Sequence, residues 1–165
     1  MKLCGFMDAD WAGSPTDRKS TSGGIFSIRS TIVSWYNRKQ RSVALSSEEV
    51  EYMAESLVAC EAIWMRKILV GLFGSYLEPT VIYYDNQSCI KLSANPVFHD
   101  RSKHIDIRYH HIRDCVQRRI MLLSYIPTED QDADILMKAL TRGKFEYHRG
   151  RIGVADNPYL VEREC

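Results

Sequence analysis

The chain has no long apolar run, no strong excess of charge and no leader-like start, and each absence excludes a class of protein. No apolar stretch approaches the roughly 20 residues that a membrane-spanning helix needs. Residues 1–8 become acidic too soon for a secretory signal peptide, so we expect an intracellular protein with no membrane partner. The net charge is only +1, yet nucleic-acid binding stays open, because it depends on where the charges lie.

Cysteine is sparse and scattered. The five cysteines are odd in number, and no Cys-x-x-Cys pair occurs among Cys4, Cys60, Cys89, Cys115 and Cys165. This pattern favours free thiols in a reducing compartment over a disulfide framework. Repeats, low-complexity segments and linkers are also missing, so the 165 residues are expected to form one domain with a sizeable core.

Five β-rich runs predict a mixed sheet. Ile25–Arg29 and Ile32–Tyr36 are close enough to form a hairpin, with which the run Leu3–Met7 is expected to pair. Thr80–Tyr84 is β-branched and aromatic, which is typical of a strand covered on both faces. Ile120–Ile126 returns as a strand after helical segments, and a helix between two strands implies a parallel crossover.

The main predicted helix runs from Leu45 to about Leu72 and begins at Ser46 or Ser47 as a cap. Its apolar residues recur at helical spacing and predict a face turned toward the core, formed by Val50, Ala54, Leu57, Trp64 and Ile68. Further helices are predicted around Ile90 and Leu92, over Ile105–Arg118, over Ala133–Leu140 and over Gly143–Ile152. The order β-β-β-α-β-α-α-β-α predicts an α/β layered domain over residues 1–154, followed by a loose tail over Ala155–Cys165.

Four acidic side chains stand where such a fold can bring them together. Asp8 follows the first strand, Asp85 follows the covered strand, and Asp134 lies at the start of a helix. Glu51 lies early in the long helix, beside its apolar face. Ligand sites in α/β sheets collect at the carboxyl ends of strands. Carboxylates without His or Cys suit a hard cation such as Mg²⁺ or Mn²⁺, and two such ions can drive phosphodiester hydrolysis.

Other residues near these acids are expected to be structural. Taken singly, Asp8 and Asp85 also fit structural roles, and only the combination of four acids points to a site. The remaining acids of this region are expected to be helix caps or solvated charges: Asp10, Asp17, Glu48 and Glu49. Trp11 and Trp35 are expected in the core or its support rather than stacked on sugars.

The histidines His99, His104, His110 and His111 do not predict a zinc site. On a helix, His104 and His111 are seven positions apart, too far to chelate one ion as an i, i+4 pair does. We expect this motif to fix packing and hydrogen bonds beneath the sheet.

A series of short motifs runs through the chain in order. The series comprises Asp8-Ala-Asp-Trp-Ala-Gly13, Asp17-Arg-Lys-Ser-Thr-Ser-Gly23, Leu45-Ser-Ser-Glu-Glu-Val-Glu-Tyr52, Tyr84-Asp-Asn-Gln-Ser88, Asn95-Pro-Val-Phe-His99, Lys103-His-Ile-Asp-Ile-Arg-Tyr-His110, Pro127-Thr-Glu-Asp-Gln131 and Ala133-Asp134-Ile. Over about residues 5–154 the chain thereby resembles the ribonuclease H domain that closes the polyprotein of copia-type LTR retrotransposons.

The resemblance implies a ribonuclease H-like fold, with a five-stranded mixed sheet flanked by helices. It makes Asp8, Glu51, Asp85 and Asp134 the catalytic set that binds two Mg²⁺ or Mn²⁺ ions. The implied reaction is endonucleolytic hydrolysis of the RNA strand of RNA–DNA hybrids, leaving 5′-phosphate and 3′-hydroxyl ends. Two alternatives stay open: a retrotransposon-derived domain that binds nucleic acid without cutting it, and a protein-interaction module.

Polar and basic residues in the loops that flank the acids are candidates for contacts to phosphates and 2′-hydroxyls: Arg18, Lys19, Ser20, Arg38, Lys39, Arg41, Asn86 and Gln87. Each basic residue also fits a solvated surface charge. In the parent polyprotein the implied neighbour is a reverse transcriptase domain, and the implied location is a virus-like particle in the cytoplasm, or the nucleus.

The sequence departs from the family pattern in several places. Family members usually have Thr where Glu48 and Met137 stand, and Ala where Val50 stands. None of these changes removes a ligand, but Glu48 adds negative charge near the site. Many cellular relatives carry a His in the loop before the last carboxylate, and residues 127–132 contain none, so we expect slow turnover. The start close to the first strand suggests a polyprotein fragment or a separate reading frame.

Overall fold

The structure, a computed structural model, is built on a five-stranded mixed sheet. Its strands are β1 (Leu3–Asp10), β2 (Thr21–Ile28), β3 (Thr31–Lys39), β4 (Thr80–Tyr84) and β5 (Met121–Tyr125). They lie in the order β3-β2-β1-β4-β5. β1, β2 and β3 form an antiparallel meander, whereas β4 is parallel to both β1 and β5. The predicted mixed sheet is therefore confirmed, with β3 continuing through residues 37–39, which the sequence analysis assigned to no strand.

The structure describes residues 1–11, 16–40, 43–44, 47–74, 77–87, 90 and 103–155, without the side chains of residues 48, 103–106 and 109. Gln87 and Ile90 are helical. Several predictions lie outside the described residues: the helix continuing through Leu92, the side chains of His99 and His104, the candidate contact Arg41, and the tail after Ala155.

Three α-helices accompany the sheet: α1 (Ser47–Phe73), α2 (Lys103–Gln117) and α3 (Arg142–Arg151). All three agree with predicted helices. α1 packs against β1 and α2 on one face of the sheet. Phe26 of β2 joins the core on this face, so its neighbour Ile25 points to the opposite face, where it lines a groove with Leu136 and Ile152.

The prediction of an α-helix over Ala133–Leu140 is wrong. The chain forms two short 3₁₀-helices instead, Thr128–Asp130 and Asp132–Leu136. Gln131, between them, accepts a hydrogen bond from the Ala133 backbone N–H and donates one of 2.7 Å to the Met7 carbonyl of β1. These contacts hold the segment flat against the sheet. Gly23 of β2 makes room for it, because a Cβ there would lie 2.6 Å from the Met137 sulfur.

The predicted core face of α1 is confirmed in the first half of the helix and is wrong in the second half. Val50 and Ala54 are buried as predicted. Trp64 is 53% exposed, and Ile68 is also exposed, because Met65 and Leu69 make the core contacts of the last turns.

Other burial predictions also fail. Trp35 is 68% exposed because it lies on the edge strand β3, where it lines the rim of the same groove as Ile25, and Trp11 is exposed beyond the end of β1. Glu49, expected to be a helix cap or a solvated charge, is buried and is therefore not a solvated charge. Among the described residues, Cys4, Cys60 and Cys115 are free thiols, in agreement with the prediction. Within the same residues, no helix combines the length and apolar character required to cross a bilayer.

Candidate active site

Asp8, within β1, and Asp85, directly after β4, lie at the same edge of the sheet, where the carboxyl ends of these adjacent parallel strands meet. β1 pairs with β4 in the register Phe6↔Tyr83, and continuing this register brings Asp8 level with Asp85. Neighbouring strands are separated by about 4.8 Å, so the two carboxylates belong to one region. β1 extends past Asp8 because it pairs with Gly23, so Asp8 lies within the strand rather than after it. Asp8 is buried, and Asp85 accepts a 2.9 Å hydrogen bond from the Thr128 hydroxyl.

Glu51 points from the second turn of α1 toward these acids and is largely shielded from solvent. Burial first, and the charges of Asp8 and Asp85 next, raise the pKa of Glu51 to about 7, although the hydrogen bond from Asn86 and the charge of Lys138 lower it. The Asn86 amide donates to Glu51 Oε1 at 3.4 Å. The other oxygen, Oε2, is buried without a hydrogen-bond partner among the described residues. An ionised carboxylate in such a place is costly unless a cation approaches it.

Asp134 completes the set from the second 3₁₀-helix. It is buried, and burial is the main cause that raises its pKa, with Asp8 raising it as well. The ammonium of Lys138 lies 2.9 Å from Asp134 Oδ1 and 3.0 Å from Asp8 Oδ2. Lys138 therefore links a strand and a loop that are far apart in sequence. Lys138 was not predicted from the sequence, although its spacing of four residues from Asp134 was a usable signal.

The four predicted acids thus lie near one another, but their side chains are not arranged around a common metal position. Asp8 and Asp134 share the Lys138 ammonium, while Glu51 is under the electrostatic influence of Asp8 and Asp85. As the side chains stand, the described residues contain no group of three or more His, Cys, Asp or Glu placed to hold a metal ion. The available donors are carboxylate oxygens, the ligand type that hard divalent cations prefer.

A buried polar network fixes the segment that carries Asp134. The ring of His148 in α3 is almost fully buried, with Nδ1 2.9 Å from Asp132 Oδ1. Arg151 contacts the same carboxylate at 3.1 Å and Asp130 at 2.7 Å. α3 is thereby joined to both 3₁₀-helices. This network was not predicted, because nothing in the local sequence pattern pairs α3 with residues 130–132.

The predicted nucleic-acid contacts divide into surface and buried groups. Arg38 and Lys39 are about half exposed and form ion pairs with Glu61 at 3.0 Å and Asp17 at 2.9 Å. They lie along a groove of about 330 Å³ that Arg108 of α2 also lines. The groove is completed by Ser22, Gln40, Met53 and Leu57. Arg108 was not among the predicted contact residues.

The remaining candidates lie elsewhere around the same edge of the sheet. Arg18 and Gln87 are exposed, and Asn86 contacts Glu51. Ser20 has no exposed surface, and its carbonyl accepts a hydrogen bond from the Gln40 backbone N–H. Its role as a contact to nucleic acid stays a prediction.

No protein-family model matches the chain. Two transposon proteins are similar to it over nearly its whole length. The retrovirus-related Pol polyprotein from transposon TNT 1-94 of Nicotiana tabacum is 40% identical over 155 residues, 94% of this chain and 12% of the polyprotein. The retrovirus-related Pol polyprotein from transposon RE1 of Arabidopsis thaliana is 40% identical over 158 residues, 96% of this chain and 11% of the polyprotein. The chain therefore spans one small segment of each relative.

Solved structures of low sequence identity share the fold. LC11-RNase H1, isolated from compost, matches with a TM-score of 0.60 at 14% identity, over 82% of this chain and 91% of that one. The N-terminal RNase H domain of rv2228c from Mycobacterium tuberculosis matches with a TM-score of 0.59 at 12% identity, over 90% and 96%. The foamy viral protease-reverse transcriptase, solved in complex with an RNA/DNA hybrid, matches with a TM-score of 0.55 at 16% identity, over 87% and 20%. The chain is thus a homologue of one segment of the retrovirus-related Pol polyproteins of copia-type transposons, and it has the ribonuclease H fold.

Proposed function

We propose that the chain is a metal-dependent ribonuclease that cuts the RNA strand of RNA–DNA hybrids within a retrotransposon polyprotein. The single observation that carries this proposal is the position of four acids around one sheet edge: Asp8, Glu51, Asp85 and Asp134. The fold and the transposon relatives support the reaction class. The foamy viral neighbour, solved with an RNA/DNA hybrid, supports the substrate.

The residues present fit a divalent metal centre. Glu51 has a buried oxygen without a hydrogen-bond partner among the described residues, and its pKa is raised first by burial and then by the charges of Asp8 and Asp85. Asp8 and Asp134 already converge on one cationic group, the Lys138 ammonium. The four carboxylates would hold two Mg²⁺ or Mn²⁺ ions. Such ions supply an activated water and stabilise the leaving oxygen of the phosphodiester.

The chain itself contributes orientation and binding. Thr128 and Asn86 restrict the Asp85 and Glu51 side chains through hydrogen bonds, which limits the rotamers that must be ordered when substrate arrives. The network of His148 and Asp132 fixes the backbone next to Asp134. These contacts make the carboxylates a rigid group that orients the scissile phosphate.

The groove of Arg38, Lys39 and Arg108 provides the electrostatic part of substrate binding. Arg38 pairs with Ser22 of β2, one residue before Gly23, which pairs with Asp8. The groove is therefore about two strand spacings, roughly 10 Å, from the acids. A strand whose scissile phosphate lies at Asp8 would place a neighbouring phosphate over these cations. Gln87, beside Asp85, is exposed and available to a 2′-hydroxyl or base edge.

A cleavage assay tests the proposal. The purified chain is incubated with a 5′-labelled RNA strand annealed to DNA, with Mg²⁺, Mn²⁺ or EDTA, beside single-stranded RNA and duplex DNA. We expect cutting of the hybrid alone, with metal only, and loss of cutting in Asp85→Asn. Asp114→Asn is the matched control, because Asp114 is an exposed acid on α2 whose partner is Arg118.

Hybrid binding is measured on the same samples by fluorescence anisotropy. Tight binding without cutting in either metal would overturn the nuclease proposal and favour a domain that only binds nucleic acid. Equal cutting by wild type and Asp85→Asn would place the activity outside the proposed site.

A further inference from the structure

The Lys138 ammonium occupies the space between two of the proposed metal ligands. It lies 3.0 Å from Asp8 and 2.9 Å from Asp134, on carboxylates that are themselves buried. Two buried carboxylates at such a distance from one cation would repel each other if the cation were absent. Lys138 is thus the group that keeps the two acids together in the protein as described.

The two parts of Lys138 differ in how firmly they are held. Its backbone N–H donates to the Asp134 carbonyl at 2.9 Å, which anchors the main chain. Its side chain is 41% exposed and runs along a solvent-accessible edge. A lysine carries its charge on a flexible four-carbon stem, so the ammonium can leave the carboxylates while the backbone stays in place.

We propose that Lys138 is a built-in counter-cation that holds Asp8 and Asp134 together until a divalent metal ion displaces it. The inference rests on the proposed function, since it concerns the same carboxylates. A metal ion and an ammonium cannot contact the same carboxylate oxygens from the same side at once. Lys138 and the metal therefore compete, and Lys138 lowers the apparent affinity of the site for metal.

Calorimetric titration with Mn²⁺ tests the competition without any activity measurement. Lys138→Met, which keeps the stem and removes the charge, is compared with wild type and with Lys144→Met, an exposed lysine of α3 used as the control. We expect the Mn²⁺ dissociation constant to fall at least tenfold in Lys138→Met and to stay unchanged in Lys144→Met. Asp8→Asn is expected to lose the binding, which ties the titration to this site.

Thermal melting separates this role from simple packing. In EDTA, Lys138→Met is expected to melt several degrees below wild type, and saturating Mn²⁺ should restore it to the metal-loaded wild-type value. A deficit that Mn²⁺ leaves in place would mean that Lys138 only packs and would overturn the proposal. Equal Mn²⁺ affinity in wild type and Lys138→Met would also overturn it, while leaving the metal centre intact. Absence of Mn²⁺ binding in both proteins would overturn the metal centre itself.

Wild-type protein offers a measurement that does not depend on the folding of a variant. In protein labelled with ¹⁵N-lysine and ¹³C-aspartate, the Lys138 ammonium should exchange slowly with solvent in EDTA, because two carboxylates hold it. Saturating Mg²⁺ should release it to the fast exchange of surface lysines. Slow exchange that persists while the carboxyl signals of Asp8 and Asp134 shift would contradict displacement.

Discussion

Replacing Glu51 by Gln is expected to stabilise the metal-free protein at pH 8, although it removes a proposed ligand. Burial first, and the nearby Asp8 and Asp85 next, raise the pKa of Glu51 from its ordinary value of 4.5 to about 7. That difference corresponds to roughly 3 kcal/mol of unfavourable free energy for the ionised folded protein. Gln keeps the acceptor for Asn86 and carries no charge, so the penalty disappears.

The sign of the pH dependence follows from the same values. Between pH 4.5 and 7 the unfolded chain has released the Glu51 proton and the folded protein has retained it. The contribution of Glu51 to the free energy of unfolding therefore falls as pH rises through this range, and it levels off above pH 7. The advantage of Glu51→Gln should be full at pH 8 and below about 1 kcal/mol at pH 5.

Melting curves in EDTA at both pH values measure the effect. For a chain of this size, about 3 kcal/mol corresponds to roughly 6–12 °C in melting temperature. Glu78→Gln, at an exposed position before β4, is the control and should change little at either pH. A gain of equal size at pH 5 and pH 8, or no gain at pH 8, would refute the electrostatic account. With saturating Mn²⁺ the order of wild type and Glu51→Gln should reverse, because a ligand has been lost.

Three further predictions concern other parts of the molecule. His148→Phe leaves the buried Asp132 carboxylate with one partner fewer, so the free energy of unfolding in urea should fall by about 1–3 kcal/mol. Arg108→Ala should weaken hybrid binding independently of sequence and reduce the slope of log affinity against log salt by about 1, as measured by anisotropy from 50 to 300 mM salt. Gly24→Ala should lower stability by about 1–3 kcal/mol in the same urea titration, because its Cβ would lie 2.6 Å from the buried Tyr36 ring.

The strands and long helices could be predicted because their signals are local. Alternation in Ile25–Ile28 and the β-branched run Thr80–Tyr84 determine strand formation within a few residues, and the apolar period of α1 does the same for a helix. The acids Asp8 and Asp85 were found for a related reason: each is close to a strand end, and parallel strands bring such ends together.

What could not be predicted depends on partners distant in sequence. The 3₁₀ path of residues 132–136 depends on Gln131, whose side chain bonds a carbonyl 124 positions away. Lys138 forms its ion pair with Asp8, which lies in the first strand, and Arg108 lines a groove with residues at the end of β3. No short segment of the sequence contains both members of such a pair. The prediction that Trp64 faces the core was wrong because helical spacing does not indicate where the surface that packs against the helix ends.

The hydrogen bond between Gln131 and the Met7 carbonyl has a consequence for the order in which the protein matures during translation. The sheet centre can pair once β4 has emerged from the ribosome, but the carboxylate of Asp134 joins it only after most of the chain has been made. A nascent or prematurely terminated product would therefore carry the scaffold without its last acid. Such products would also lack Lys138, so Asp8 would stand in the finished sheet centre without the ammonium that pairs with it.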